Sequence, residues 1–238
     1  MRIGSMFFVV ATFQCILFAG TVYNPVSDFN ISPGANPDGV WSYGKLSAGG
    51  SFTPLGYFDG SGAIAFWENV QGTASNFPAY YPLMAINPTG GAFGEGATFD
   101  VPAGSLYLAP GPSVISDWID LRFTAPATGI YDFIGQFEFL NTGGYTDYAY
   151  VLRNGTALIN DVLLGNVGAG QTVPINLTGV SLTAGDPMDF AIQAGSFLGD
   201  SNALQLNVTQ EQTGVPEPST FGFAALSAAC LLIRLRRK

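Results

Sequence analysis

The chain has 238 residues, 47% of them apolar and 13% aromatic, enough to bury a sizeable core and to exclude intrinsic disorder. Gly 31 and Pro 15 with only 11% charged residues exclude a protein of long surface helices and point to many short strands joined by tight turns. Histidine is absent, which excludes Ser-His-Asp and Cys-His catalytic sets and His-Glu-x-x-His zinc sites, and a formal charge of −9 excludes nucleic acid as a partner because phosphate backbones are repelled.

At the N-terminus Arg2 precedes an apolar run from Met6 to Ala19, broken only by Thr12, Gln14 and Cys15, and small residues follow at Ala19, Gly20 and Thr21. That is the layout of a secretory signal peptide. A run of about 14 residues falls short of the roughly 20 that a spanning helix needs. Residues 1–21 are therefore read as an export signal with a helical core, and the body begins at residue 22. Cys15 and Cys230 are the only cysteines and both lie in terminal apolar segments. A chain trimmed at both ends carries no disulfide, thiolate metal site or cysteine nucleophile.

In the first half of the body, Trp41, Tyr43, Phe52, Tyr57, Phe58, Phe66, Trp67, Phe77, Tyr80 and Tyr81 are spaced by glycines and prolines. Ile64–Trp67 and Ser105–Leu108 read as short strands, and Pro78, Pro82, Pro88, Pro110 and Pro112 mark loops or sheet edges. From Leu121 onward the period is two. Tyr131, Phe133, Phe137 and Phe139 alternate with Asp132, Ile134, Gln136 and Glu138, giving one aromatic and one mostly polar face. A strand over Tyr148–Arg153 meets Asn154-Gly155, a strong hairpin signal, and returns through Thr156–Ile159. Val173, Ile175 and Leu177, then Met188, Phe190 and Ile192, then Leu204, Leu206 and Val208 continue the alternation. The expected fold is all-β, one antiparallel jelly-roll-like β-sandwich over residues 22–212, flanked by the N-terminal signal helix and a short C-terminal hydrophobic helix. The alternative is two smaller sandwiches divided near Pro110 to Ser113. Phe123–Tyr131 resembles the strand and turn of extracellular jelly rolls, carbohydrate-binding modules among them.

Only Lys45, Arg122 and Arg153 are basic in the body, against sixteen carboxylates, so its formal charge is −13. Paired carboxylates are the catalytic equipment left to a chain without histidine, and Glu68, Glu95 and Glu138 are the candidates for glycoside hydrolysis. The competing reading of Glu138 is a solvated outer-face charge, and the chain is expected not to be an enzyme. Calcium has weak candidates in Asp117 with Asp120, Asp186 with Asp189, and Asp200 with Asn202. Asp186 follows Gly185 in an evident turn, where an Asx-type acceptor explains it without metal. No EF-hand loop is present, and no cofactor or metal is expected. Trp41, Trp67, Trp118, Tyr80, Tyr81 and Tyr145 lie near predicted turns and are candidates for stacking on sugar rings, with core packing as the competing reading.

The last residues divide into Val215-Pro216-Glu217-Pro218-Ser219-Thr220, an apolar run from Phe221 to Ile233, and Arg234-Leu235-Arg236-Arg237-Lys238. As a helix the run is about 20 Å long, against a hydrocarbon core of ~30 Å. It inserts with the help of snorkelling arginines but holds weakly. Arg234, Arg236, Arg237 and Lys238 keep that end in the cytoplasm, so everything before it faces outward. Val215 and Glu217 each precede proline and are pushed toward extended conformations, leaving the hexapeptide open to a membrane-embedded protease.

These three parts in this order, over residues 215–238 of a sorting region taken as 213–238, resemble the PEP-CTERM sorting signal of Gram-negative bacteria. The resemblance implies that Pro216-Glu217-Pro218 is recognised by exosortase, a membrane-embedded transpeptidase-like enzyme. It further implies that the tail makes transient inner-membrane contact and is removed during delivery to the cell surface or extracellular matrix. A structural or adhesive surface protein is the expected function, with extracellular polysaccharide as a candidate partner. The alternative is a secreted carbohydrate-binding module or glycosidase of jelly-roll fold.

Overall fold

Alternation of apolar and polar residues makes one face of a strand seek a partner layer, and the chain meets that need with two sheets. The computed structural model describes residues 20–29, 36–47, 50–59, 65–71, 81–87, 93–94, 100–111, 118–142, 146–165, 168–195 and 201–211. Among them the strands are β1 (Thr21–Tyr23), β2 (Trp41–Leu46), β3 (Phe52–Pro54), β4 (Tyr57–Asp59), β5 (Phe66–Glu68), β6 (Leu83–Ile86), β7 (Phe93–Gly94), β8 (Asp100–Val101) and β9 (Leu106–Ala109). They continue with β10 (Trp118–Thr124), β11 (Gly129–Phe139), β12 (Asp147–Arg153), β13 (Thr156–Leu164), β14 (Thr172–Leu182), β15 (Pro187–Ala194) and β16 (Asn202–Gln210). No helix occurs among the described residues, and both expected terminal helices lie outside them.

The larger sheet runs β14-β11-β16-β9-β6-β5-β4, with β1 also paired to β16; the smaller, six-stranded sheet runs β13-β12-β15-β10-β2-β3; β7 and β8 form a separate pair. All pairings are antiparallel. Strands from both sides of Pro110 contribute to both large sheets, so the two halves of the body share one core. Residues Thr21–Glu211 form one compact unit. The remainder, 1–20 with 212–238, makes a second unit that, Gly20 apart, lies outside the described residues.

Strand β11 follows its sequence pattern closely. Tyr131, Phe133, Phe137 and Phe139 are all fully buried, while Asp132, Gln136 and Glu138 are half-exposed on the other side. Phe123 of the six-stranded sheet meets Tyr131 and Phe133 of the larger one edge-on, at 5.7 and 5.6 Å between ring centroids, and Phe190 meets Phe133 at 5.7 Å. These rings lock the layers together. Tyr131 Oη donates to the Ala127 carbonyl at 2.6 Å, pinning the turn before β11 to the strand it launches. At Gly135 a Cβ would collide with the Gln205 carbonyl of β16, so only glycine allows the two strands to approach there. The Asn154-Gly155 turn has φ of 49° and 76° and joins β12 to β13, as a two-residue hairpin with both central residues left-handed requires.

Candidate functional site

The six-stranded sheet carries an outer face unlike an ordinary solvated surface, and alternation on four strands builds it. On β10, Ile119, Leu121 and Phe123 enter the shared core, so Trp118, Asp120 and Arg122 emerge outside. On β15, Met188, Phe190 and Ile192 go inward, leaving Asp189, Ala191 and Gln193 outside; on β12, Tyr148, Tyr150 and Leu152 do the same. Strand β2 adds Ser42, Gly44 and Leu46. Register then sets Tyr150, Ala191, Asp120 and Gly44 in one cross-strand row, and Leu152, Asp189, Arg122 and Ser42 in the next.

Small residues in the first row let large ones lean over it. Trp118 stacks on Tyr150 with 4.2 Å between centroids and 21° between planes, although strand β15 lies between their strands. At that row β15 presents only Ala191. From edge strand β3, the Phe52 ring occupies the space a Cβ at Gly44 would need. The same ring carries the Arg122 guanidinium, whose Cζ is 4.1 Å from its centroid. Arg122 also grips Asp189 with two bonds, Nε to Oδ1 at 2.6 Å and a terminal nitrogen to Oδ2 at 3.1 Å. Tyr150 Oη donates to Asp161 Oδ1 at 2.9 Å and lies 2.8 Å from the Gln193 side-chain amide.

The electrostatics of this face are set by burial. Asp120 is fully buried, and burial first, then the Asp189 carboxylate, push its pKa well above the ordinary carboxylate range against the pull of Arg122. Among the described residues neither Asp120 oxygen has a hydrogen-bond partner of good geometry, and the Phe190 backbone N–H is the weakest influence on it. The Trp118 indole N–H is likewise buried without an acceptor among the described residues. Burial and the Asp161 bond push the Tyr150 phenol upward. The arrangement offers a rigid aromatic ledge, Trp118 with Tyr148 and Phe52 beside it, and a fixed guanidinium at its margin.

Of the aromatic candidates among the described residues, Trp118 alone lies on this ledge. Trp41 and Trp67 are core residues, 0% and 4% exposed, and their expected sugar-stacking role is corrected here. Trp41 donates its indole N–H to Asp28 at 3.2 Å and packs edge-on against Phe123, while Trp67 lies between Tyr43 and Phe58, so neither has a face to offer a ligand. Tyr81 is half-buried just before β6, and Tyr80 and Tyr145 fall outside the described residues. Glu68 is buried at the end of β5, four strand positions from Glu138 on β11. At ~4.8 Å per strand the two are about 19 Å apart, too far for a glycosidase pair, which needs at most about 9.5 Å. Glu95 falls outside the described residues.

Asp189 is committed to Arg122, and Asp186 accepts the Thr183 amide at 2.9 Å, a bond that ties its turn together but runs to the residue three before it and not, as in an Asx turn, to the one two after. Asn202 donates to Asp147 at 2.6 Å, a buried bond from β16 to β12 that ties the two sheets together. Among the described residues no group of three potential ligands is placed to hold a metal ion; Asp117 and Asp200 lie outside them. So do Val215, Pro216, Glu217, Pro218, Ser219, Thr220, Arg234, Arg236, Arg237 and Lys238. Among the described residues no helix is long and apolar enough to cross a membrane. Sequence reasoning missed Tyr148, Tyr150, Phe52, Arg122 and Gln193 as members of this face. The alternation of Tyr148, Tyr150 and Leu152 was a usable signal for the first two.

A search of curated proteins gave no match. Among solved structures, the chain is similar to a native family 35 carbohydrate binding module from Clostridium thermocellum, with a TM-score of 0.30 and 18% identity over 49% of this chain and 85% of that one. It is also similar to an Arthrobacter globiformis T6 isomalto-dextranase complexed with panose, with a TM-score of 0.28 and 14% identity over 71% of this chain and 23% of that one. Residues 214–238 match the model of the PEP-CTERM protein-sorting motif. The chain thus carries a PEP-CTERM sorting signal at its C-terminal region, a signal that implies export and sorting by exosortase.

Proposed function

We propose that this is a non-enzymatic surface or extracellular-matrix protein with a structural or adhesive role. In this reading residues 1–21 direct export, and the body folds outside as a jelly-roll-like sandwich. Exosortase then removes the tail at the Pro216-Glu217-Pro218 element after transient inner-membrane contact. The observation that carries the reading is the motif match over residues 214–238. Replacing Pro216, Glu217 and Pro218 by alanine in the native host is expected to leave a full-length C-terminus in the inner-membrane fraction. Intact mass of the unaltered protein is expected to show a species ending near Pro216 to Thr220. Identical maturation and destination for both chains would refute the sorting role.

Adhesion to extracellular polysaccharide is the reading that the outer face of the six-stranded sheet favours. Trp118 and Tyr148 are half-buried there, and Trp118, fixed by its stack on Tyr150, loses little freedom on taking a sugar. Binding of the mature protein to a glycan array, compared with a Trp118→Ala variant, tests it. Retention that is unchanged by the substitution would remove this face from the account.

A further inference from the structure

We infer that Asp120 and Asp189 hold one proton between them beneath the aromatic ledge, making the outer face of the six-stranded sheet a proton-dependent assembly that is firmest in acid. The sorting and adhesion readings are not premises of this inference. Two buried carboxyls, 0% and 1% exposed, sit on neighbouring strands and face a single guanidinium. Arg122 directs both its close contacts to Asp189, at 2.6 and 3.1 Å, and neither oxygen of Asp120 meets a good donor among the described residues. A carboxylate so enclosed is strongly disfavoured, whereas the neutral acid can donate to the Asp189 carboxylate, its diagonal neighbour on β15.

Among the described residues the other groups facing Asp120 bring no second positive charge, although Trp118, beside it on β10, has an indole N–H without an acceptor. Strand β15 contributes Asp189 beside Ala191, and β12 contributes Tyr150, whose hydroxyl is already engaged by Asp161 of β13. Strand β2 presents Ser42 and Gly44, β3 presents the Phe52 ring, and β10 itself supplies Arg122. One positive charge thus serves two acids, and a proton supplies the missing balance. The raised pKa of Asp120, caused first by burial and then by Asp189, has the same direction.

The folded chain therefore holds a proton that the unfolded chain releases above the ordinary carboxylate range. Stability from this group is complete below that range and is lost as pH rises through the folded value. Above it, two negative charges face one guanidinium in a closed space, and the stack of Trp118 on Tyr150 loses its support.

Thermal unfolding of the wild-type protein and Asp120→Asn between pH 5 and 8 provides the test. The wild-type midpoint is expected to fall relative to the variant by roughly 3–5 °C per pH unit while the proton is retained, because asparagine is neutral throughout and keeps the shape. Parallel curves for the two proteins would overturn the inference. Should Asp120→Asn fail to fold, carboxyl carbon NMR of the wild-type protein decides. An Asp120 signal that stays protonated through neutral pH sustains the proposal, and one that titrates in the ordinary aspartate range refutes it.

Discussion

The two sheets share one core but wear different exteriors. Outside the larger sheet, β11 presents Asp132, Ile134, Gln136 and Glu138, β14 presents Thr172, Pro174 and Asn176, and β16 presents Gln205, Asn207 and Thr209. There Asn176, Ile134 and Asn207 form one cross-strand row, and Ile134 is 46% exposed. Over β14, β11 and the end of β16 that is a solvated surface with scattered apolar atoms, and beside it Tyr107 and Ala203 pack with Val101 and Leu140 as a small covered apolar patch. Outside the smaller sheet, polar and aromatic groups interlock, one carboxylate is clasped by arginine, and another is sealed in. A strand needs only one good face to fold, and the aromatic and charged second face of the six-stranded sheet is the one on which the adhesion proposal rests.

Matched substitutions on the two exteriors sharpen this contrast. Removing Asp189 as alanine takes both hydrogen bonds from the Arg122 guanidinium and leaves Asp120 as the buried carboxyl facing it, and is expected to cost about 2–4 kcal/mol. Glu138→Ala on the opposite exterior should change stability by less than about 0.5 kcal/mol. Urea unfolding of both reads the difference, and equal costs would erase the distinction. Gly44→Ala is next: its methyl must displace the Phe52 ring, for an expected loss of about 1–3 kcal/mol and a weakened hold on Arg122. Smaller still is Trp118→Ala, at about 1–2 kcal/mol in stability. On the adhesion reading it also weakens glycan retention about tenfold, equivalent to roughly 1.4 kcal/mol, whereas Ile134→Ser leaves retention unchanged.

Much of the larger architecture was legible because half-buried strands write their period into the chain. The alternation from Leu121 onward marks β11, β14, β15 and β16, and Asn154-Gly155 marks the hairpin of β12 and β13. The first half was harder to read. Strands of three residues such as β3, β4 and β5 are too short to show a period, and tryptophans among glycines and prolines carry no sign of which way they point. For that reason Trp41 and Trp67 admit both a stacking and a core reading from the sequence, and both belong to the core. The outer face was less legible still. Arg122 and Asp189 are 67 residues apart and become neighbours only through the register of β10 on β15. Phe52 reaches the same spot because the residue it overlies is a glycine. No local pattern announces contacts of that kind.

Strand β16 holds a central place in the larger sheet, between β11 and β9, and ends at Gln210, four residues before the matched motif begins. A polypeptide delivered N-terminus first therefore leaves a gap in the middle of that layer until nearly everything has crossed. Closure of the domain and presentation of its address label become successive events written into strand order, with the keystone arriving just ahead of the tag.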